Sequence, residues 1–468
     1  MNNLLTGLQT WTSTTANGAV TNPTSLNECL DLFFLSGASR TMSKQEIVSM
    51  FSKAFNQDKS TALKILFWAR DIRGGAWERR LFRIILSYLC HDHPDIYADI
   101  LEYIAVYWRW DDLFFNEDIT NHSMDYLKEV ISKLEDKLLF KWLPREKSTN
   151  KKIAQFIRGR LEMTPKAYRQ MLSENSITIE NQLCDNEWDE VEYKKVPSKA
   201  FNLYSAAFMK HDEERFTKFI EKVEEWETTI NAGAIFPVDI YKSFTAGKAT
   251  WPINAQWSAL PDYMNDENIL AVCDTSASMN WEPMDVSVSL GVYISERSKW
   301  IFKDHFITFE GQPKLQKVSG SPTDRFRQIQ RTNSDCSTNI QWVFELLLKV
   351  AERDWLKQED MPTKILIISD MEFNEASDPH RGGQPKTNFQ AINEMYNESK
   401  YTRPQLVFWN VHWRLNNVPV QTEDNNTALV SGYSPSILTS ILWGEDFTPM
   451  GVMLKTISKY TFIDKLYE

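Results

Sequence analysis

The sequence predicts a chain of two architectures: a largely helical amino-terminal half of stacked helical pairs of the solenoid type, then a doubly wound α/β unit. Three observations carry this expectation. Between Ser25 and about Phe244, apolar residues recur at three- and four-residue steps, as in Leu30, Phe33 and Phe34, or Ile47, Met50 and Phe51, or Leu63, Ile65, Leu66 and Trp68; that is the period of a helix with one buried face. Beyond residue 268, apolar runs near 268–273, 304–309, 364–369, 405–410 and 427–430 alternate with helical stretches, the order expected of a parallel sheet covered by helices. The length of 468 residues is enough for two or three domains, each with its own core.

Taken in order, residues 1–24 are rich in Thr, Asn, Ser and Gly with Trp11 the only large aromatic, which predicts a flexible, extended arm. The helical domain is expected over 25–250. Polar breaks at Asp92–Pro94, Asn116–Ser123 and Arg145–Asn150 divide it into helices of ordinary length, although no exact sequence repeat accompanies them. His91 and His93, on either side of Asp92, read as the polar turn between two helices. Ser173–Tyr193 is acidic and less periodic, as in a connecting loop or a hairpin-like insertion. Phe236-Pro237 and Trp251-Pro252 bracket the passage to the α/β domain, expected over 251–468, in which Met284–Trp300 reads as a helix. Trp409 lies inside a predicted strand and belongs to a core, whereas Trp413 and Trp443 fit either core or interface.

Composition narrows the class. Hydrophobic residues make up 42% of the chain without a run of 18 or more, so no membrane-spanning helix is expected. The start Met1-Asn2-Asn3-Leu4-Leu5 has no basic region leading into an apolar stretch, and the expected location is the cytoplasm, or a host cytoplasm or virion if the chain is phage-encoded. The cysteines Cys29, Cys90, Cys184, Cys273 and Cys336 are scattered and odd in number, which predicts free thiols rather than disulfides or a zinc knot.

The most informative motif follows the first apolar strand of the α/β half. Leu270–Cys273 runs into Asp274-Thr275-Ser276-Ala277-Ser278, and two further oxygen-bearing turns follow: Cys336-Ser337-Thr338-Asn339 before a helical run, and Ser369-Asp370 after a strand. Asp-x-Ser-x-Ser alone is common, because Asp and Ser cap helices and bond their own backbone. Three such turns at the carboxyl ends of parallel strands are another matter, since that edge is where open α/β sheets bind ligands. Hydroxyl and carboxylate oxygens suit a hard cation, and magnesium keeps several waters. On these residues, positions 268–460 resemble a von Willebrand factor A domain. The resemblance implies that Asp274, Ser276, Ser278, Thr338 and Asp370 form a metal-ion-dependent adhesion site (MIDAS) for Mg, or for Mn or Ca, completed by an acidic residue of a protein partner. Cys336-Ser337 departs from the glycine more usual before that threonine.

Within the helical half, Trp68-Ala69-Arg70-Asp71-Ile72-Arg73-Gly74-Gly75-Ala76-Trp77-Glu78-Arg79-Arg80 sets two glycines among four arginines. Such a turn could admit a phosphate to the backbone, or its arginines could pair with Asp71 and Glu78. From Lys137 to Arg169, ten basic residues face only Glu146 and Glu162, interleaved with Trp142, Phe156 and Tyr168. A nucleic-acid backbone could track such a stretch, although a solvated face has the same composition and the net charge of −11 weakens non-specific attraction. The RNA-binding candidates are Arg70, Arg73, Arg79, Arg80, Lys141, Arg145, Lys151, Lys152, Arg158 and Arg160. Arg70-Asp71-x-Arg73-Gly74-Gly75-x-x-Glu78-Arg79, Arg109-Trp110-Asp111-Asp112-Leu113, Val196-Pro197-Ser198-Lys199-Ala200 and Ser369-Asp370-Met371-Glu372-Phe373 resemble a domain-of-unknown-function family related to the Ro autoantigen (TROVE) proteins, from about Ser25 to Leu466. That resemblance implies a HEAT-like, TROVE-like helical domain, and by analogy with Ro a surface for small structured RNA. Such proteins occur in phages and viruses as well as in cells.

No nucleophile with a base, and no carboxylate pair placed for acid–base work, is evident; Asp370 and Glu372 are the nearest pair, and Glu372 reads more simply as a helix-entry or supporting residue. Gly74-Gly75 and Gly382-Gly383 lack the Gly-Lys-Ser/Thr ending of a nucleotide-binding loop. No catalytic residues are expected. The sequence therefore points to a non-enzymatic, Ro-like scaffold that binds structured RNA through its helices and a protein through a Mg-dependent MIDAS. The alternative is a protein-only adaptor, such as the A-domain partner of a MoxR-type AAA ATPase, or a viral-particle component.

Overall fold

The computed structural model describes residues 12–467 apart from 135, 177, 226, 233–234, 249, 280–281, 300, 310–312, 331–337, 377–385, 413–416 and 443–445. Cys336, Ser337, Gly382, Gly383, Trp413 and Trp443 lie outside the described residues. The chain divides into two compact units, and their limits differ from the expected 1–24, 25–250 and 251–468. One comprises 1–69, 74–78 and 235–468; the other comprises 70–73 and 79–234.

The first unit is organised by a sheet. Its strands are β3 (Ile269–Cys273), β4 (His305–Thr308), β5 (Lys314–Lys317), β6 (Lys364–Ser369), β7 (Gln405–Asn410) and β8 (Thr427–Ser431), in the order β5-β4-β3-β6-β7-β8; a separate hairpin pairs β1 (Ser13–Thr14) with β2 (Val20–Thr21). β3 pairs in parallel with β4 and β6, as do β6 with β7 and β7 with β8, while β5 runs antiparallel to β4. Every residue of β3, β6 and β8 is buried, as expected where helices cover both faces of a parallel sheet and the strands read as unbroken apolar runs. β5, Lys-Leu-Gln-Lys, was not expected; three of its four residues are exposed, and the charged edge it forms carries no hydrophobic signal to read. From β3 the chain leaves toward β4 and from β6 toward β7, on opposite sides, so the crevice beyond the carboxyl ends of β3 and β6 is the topological switch point, the usual ligand position in such sheets.

The expected helix appears as Glu282–Arg297, and it packs against β3, β4 and β6. Its approach to β3 is set by Gly291, where an added Cβ would stand 2.2 Å from the Cys273 Sγ. Gly291→Ala is therefore expected to cost about 1–3 kcal/mol through overpacking, although alanine in an open helix would gain about 1 kcal/mol. Thermal unfolding of the variant reads the sign directly.

Three amino-terminal helices, Glu28–Ser36, Lys44–Gln57 and Lys59–Arg70, are helical as expected, but residues up to 69 belong to the sheet-bearing unit. Glu28–Ser36 ends against the tip of β8: Ser431 Oγ donates to the Phe33 carbonyl at 3.0 Å and accepts the Gly37 amide at 3.0 Å. A Cβ on Gly37 would lie 2.6 Å from the Gly432 nitrogen, and Gly432 has φ +105°, so two glycines permit a backbone approach that no side chain would fit. Phe67 packs edge-on to Phe462 at 4.8 Å, and Ser60 donates to Asp464 at 2.8 Å.

The expectation of a flexible arm over residues 1–24 is corrected for residues 12–24. Thr15, Ala19 and Thr21 are buried, and the Asn22 amide donates to the Val418 carbonyl at 3.1 Å while its own carbonyl accepts the Val418 amide at 2.8 Å. The polar composition is consumed by backbone partners some 396 residues away in sequence, a use that no local pattern reveals.

The regular elements of the second unit, among the described residues, are all helical, including Arg79–Asp92, Pro94–Tyr107, Glu117–Lys133, Lys151–Arg160, Pro165–Asn175, Ser198–His211 and Glu213–Glu224. Arg79–Asp92 packs on Pro94–Tyr107 and Ser198–His211 on Glu213–Glu224. Phe82 lies edge-on to Trp108 at 3.9 Å, and Tyr193, Phe201, Phe208 and Phe216 form a second aromatic cluster. The break expected at Asn116–Ser123 is instead a helix start, with Asn116 Oδ1 capping the Ile119 amide at 2.8 Å. Ser173–Tyr193 is the end of Pro165–Asn175, the short helix Ile179–Cys184 and single turns, not a hairpin.

Candidate metal centre and basic residues

The loop after β3 is shaped by its own polar groups. Asp274 extends the sheet by donating its amide to the Ile368 carbonyl at 2.9 Å, and its Oδ1 accepts the Ser276 amide at 2.9 Å. The Met279 amide returns to the Ser276 carbonyl at 3.0 Å, closing a single 3-10 turn. Ser276 and Ser278 place their hydroxyls 3.0 Å apart, the former buried and the latter exposed. The loop's own hydrogen bonds thus hold Asp274, Ser276 and Ser278 on one short turn.

From the neighbouring strand, Ser369 Oγ donates to Asp274 Oδ2 at 2.6 Å and accepts the Met371 amide at 3.0 Å, and Asp370 Oδ1 accepts the Glu372 amide at 3.1 Å. Asp274 and Asp370 are both fully buried. Burial first, and then the Asp370 charge, push the Asp274 carboxyl up from 3.8 to about 6. Thr338, two residues before the helix Ile340–Arg353, is also fully buried, and its Oγ1 has no hydrogen-bond partner. A buried hydroxyl without a partner is uncommon in a protein interior. Carboxylate and hydroxyl oxygens of this kind are the ligands a hard cation takes. Among the described residues, no three His, Cys, Asp or Glu side chains form a metal-holding group; this site has two carboxylates, and its remaining donors are hydroxyls.

Ser369 and Asn374 were not singled out as site residues. Ser369 holds one Asp274 oxygen, while Asn374 Oδ1 accepts the Thr338 amide at 3.3 Å and the Asn374 amide donates to the Thr338 carbonyl at 3.0 Å. Ser369 could have been found as the residue beside Asp370 at the strand end. Asn374 has no sequence signal.

The basic candidates all belong to the helical unit but divide by environment. Arg70 is 3% exposed, and its Nε donates to Asp112 Oδ2 at 2.8 Å while Arg83 Nε donates to Oδ1 at 2.8 Å. It is a structural ion pair, which removes Arg70 from the solvent-facing candidates. Arg73 is exposed, and its guanidinium reaches the Val106 carbonyl. Arg158 pairs with Glu146 at 2.9 Å, Arg160 meets Asn121, Lys141 stands 3.9 Å from Glu180, and Arg145 donates to Ser176 at 3.3 Å. Arg79, Arg80, Lys151 and Lys152 are exposed.

Cys29, Cys90, Cys184 and Cys273 are free thiols, and burial pushes the Cys29 and Cys273 thiols up to about 12. No helix among the described residues is long and apolar enough to cross a membrane. Trp409 is fully buried, with its Nε1 donating to the Gly432 carbonyl at 2.7 Å.

Two family descriptions match the chain: Domain of unknown function (DUF2828) over residues 15–135 and 120–270, and Domain of unknown function (DUF7788) over residues 268–456. The chain is similar to "Uncharacterized protein L728" of Acanthamoeba polyphaga mimivirus, with 27% identity over 506 residues covering 96% of this chain and 87% of that protein. Among solved structures, that of the Deinococcus radiodurans RO (RSR) protein covers 93% of this chain and 100% of its own, at a TM-score of 0.38 and 10% identity. Likeness at that level fixes neither the details of the fold nor the function.

Proposed function

The chain belongs to the DUF2828 family, and from the chemistry of its loops we propose that it is a non-enzymatic scaffold whose α/β unit is a von Willebrand A-like module with a MIDAS. The observation that carries this reading is that Asp274, Asp370 and Thr338 are all fully buried, with Asp274 held by Ser369 beside Asp370 and the Thr338 hydroxyl without a partner. Asp274, Ser276, Ser278, Thr338 and Asp370 would hold the ion. Mg, or Mn or Ca, held there would supply a hard positive centre able to bind a carboxylate of an acidic partner. Exposed Ser278 is the member of the set facing solvent.

Affinity purification of the full chain in magnesium and again in EDTA tests this. The expected result is a protein partner retained in magnesium, released by EDTA and absent with Asp370→Ala. A partner set indifferent to EDTA and to the substitution would overturn it. An AAA ATPase or a capsid protein in the magnesium-dependent fraction would identify the adaptor or virion role.

Exposed Arg73, Arg79, Arg80, Lys151 and Lys152 in the helical unit favour a second, compatible reading, that this unit binds structured RNA. Phosphate contacts release counterions and give a salt-dependent affinity. For Arg79→Glu with Arg80→Glu, binding to a structured RNA at low salt should fall at least about tenfold and the salt dependence should weaken by about two charges. Filter binding across a salt series measures both, and unchanged curves would remove these arginines from the reading.

A further inference from the structure

We propose that residues 13–21 act as a strap that holds the loop after β6 in its cation-binding shape, with Asn374 as the positioning residue that passes this order on to Thr338; the proposal rests on the cation-site reading above. Four consecutive residues after Asp370 are gripped from outside their own loop. The Met371 carbonyl accepts Asn417 Nδ2 at 2.7 Å, the Glu372 carbonyl accepts Asn17 Nδ2 at 2.6 Å, and the Phe373 carbonyl accepts Thr15 Oγ1 at 2.7 Å. Asn374 forms an antiparallel bridge with Gly18. The Ala16 amide donates to the Glu372 carboxylate, which is 6% exposed.

The strap is itself anchored. Thr15 Oγ1 accepts the Ala19 amide at 2.9 Å, Val20 bridges to Thr387, and Thr21 Oγ1 lies 3.0 Å from the Val418 carbonyl and 3.1 Å from Asn417 Oδ1. Asn417 thus touches both the strap and Met371. Met371 has φ +64°, a left-handed conformation that a branchless but bulky side chain adopts only when its surroundings impose it.

The consequence concerns the cation. Asp370 and Thr338 come from separate loops, and both must present oxygen to one ion. Ordering backbone costs about 1–2 kcal/mol per residue, and a loop ordered before the ion arrives leaves that cost out of the binding free energy. Asn374 links the two loops by two hydrogen bonds to Thr338, its Oδ1 accepting the Thr338 amide at 3.3 Å and its amide donating to the Thr338 carbonyl at 3.0 Å, while its carbonyl accepts Asn388 Nδ2 at 3.0 Å. The strap meets Asn374 through the Gly18 bridge. An arm more than three hundred residues upstream thereby becomes part of the metal site without contributing a ligand.

The test uses the full chain and manganese as the probe, with affinity read by electron paramagnetic resonance and the melting temperature in EDTA read alongside. Loss of groups supporting ligands from outside the coordination shell typically weakens metal binding about 10–100-fold. Asn17→Ala, which alters an exposed side chain, and Asn374→Ala should each weaken manganese binding about tenfold while the melting temperature in EDTA falls by only a few degrees. The double variant Thr15→Val, Asn17→Ala should lose more, and Thr15→Ser, which keeps the hydroxyl, should stay within about twofold of the parent. If the parent binds manganese through Asp274 and the strap variants bind equally well, the strap proposal fails and the cation site stands. If the parent shows no Asp274-dependent binding, the cation reading fails and the strap with it.

Discussion

Asp274→Asn is expected to abolish the response to magnesium and, in EDTA, to melt at a higher temperature than the parent. The two effects have one origin. Asp274 and Asp370 are both buried, and desolvation with the neighbouring charge raises the Asp274 carboxyl from 3.8 to about 6. A raised carboxyl means that the folded state binds the proton more tightly than the unfolded chain. The resulting penalty is absent below the unfolded value, grows as pH rises through that interval, and is complete above about 6. Near neutral pH the metal-free protein bears all of it. The amide removes the charge at nearly constant shape, so each kcal/mol of relief should raise the melting temperature by about 2–4 °C. On the cation-site reading proposed above, the parent should gain about 2.7 kcal/mol at a hundred times the dissociation constant, and the variant none. Thermal melts in EDTA and in magnesium give both numbers. A variant that retains the full magnesium shift would exclude Asp274 as a ligand.

Asp112→Ala should be the most damaging single change in the helical unit, costing about 3–5 kcal/mol, because it strands a buried guanidinium. Asp112 is fully buried and accepts from Arg70, itself 3% exposed, and from Arg83 at 22%. Arg83 also reaches Asp111 at 3.0 Å, so Arg83→Ala leaves Arg70 and Asp112 paired and should cost less. Urea unfolding followed by far-ultraviolet circular dichroism ranks the two, and equal midpoints would show that the Arg70–Asp112 pair matters no more than the contacts of Arg83. This pair joins two motifs that stand out in the sequence, Arg70–Arg79 and Arg109–Leu113. For Arg70, at least, the arginine-rich appearance of the first motif reflects a core ion pair.

How legible all this was depended on the range of the physics. Strands β3, β4, β6, β7 and β8 were readable within a residue or two because burial on both faces leaves continuous apolar runs. β5 was not, since an exposed Lys-Leu-Gln-Lys edge has no such run. The helical character of residues 25–250 followed from periodicity, but membership did not: the helices before residue 70 pack with the sheet through the Gly37–Gly432 approach, a fact of backbone clearance without sequence period. Asp274, Ser276 and Ser278 were legible because their spacing lies within one turn. That Thr338 and Asp370 are as fully buried as Asp274 was not legible, because a motif of polar residues carries no measure of burial.

The sequence by itself determined the local elements: the alternation of strands and helices, the oxygen-rich turns at strand ends, and the free cysteines as a class. Tertiary structure alone decided which arginines face water, which helices join the sheet, and that residues 12–24 are ordered against the loop carrying Asp370. The reason is that propensity and periodicity act over a few residues, whereas desolvation, ion pairing and backbone approach depend on groups brought together from hundreds of residues apart.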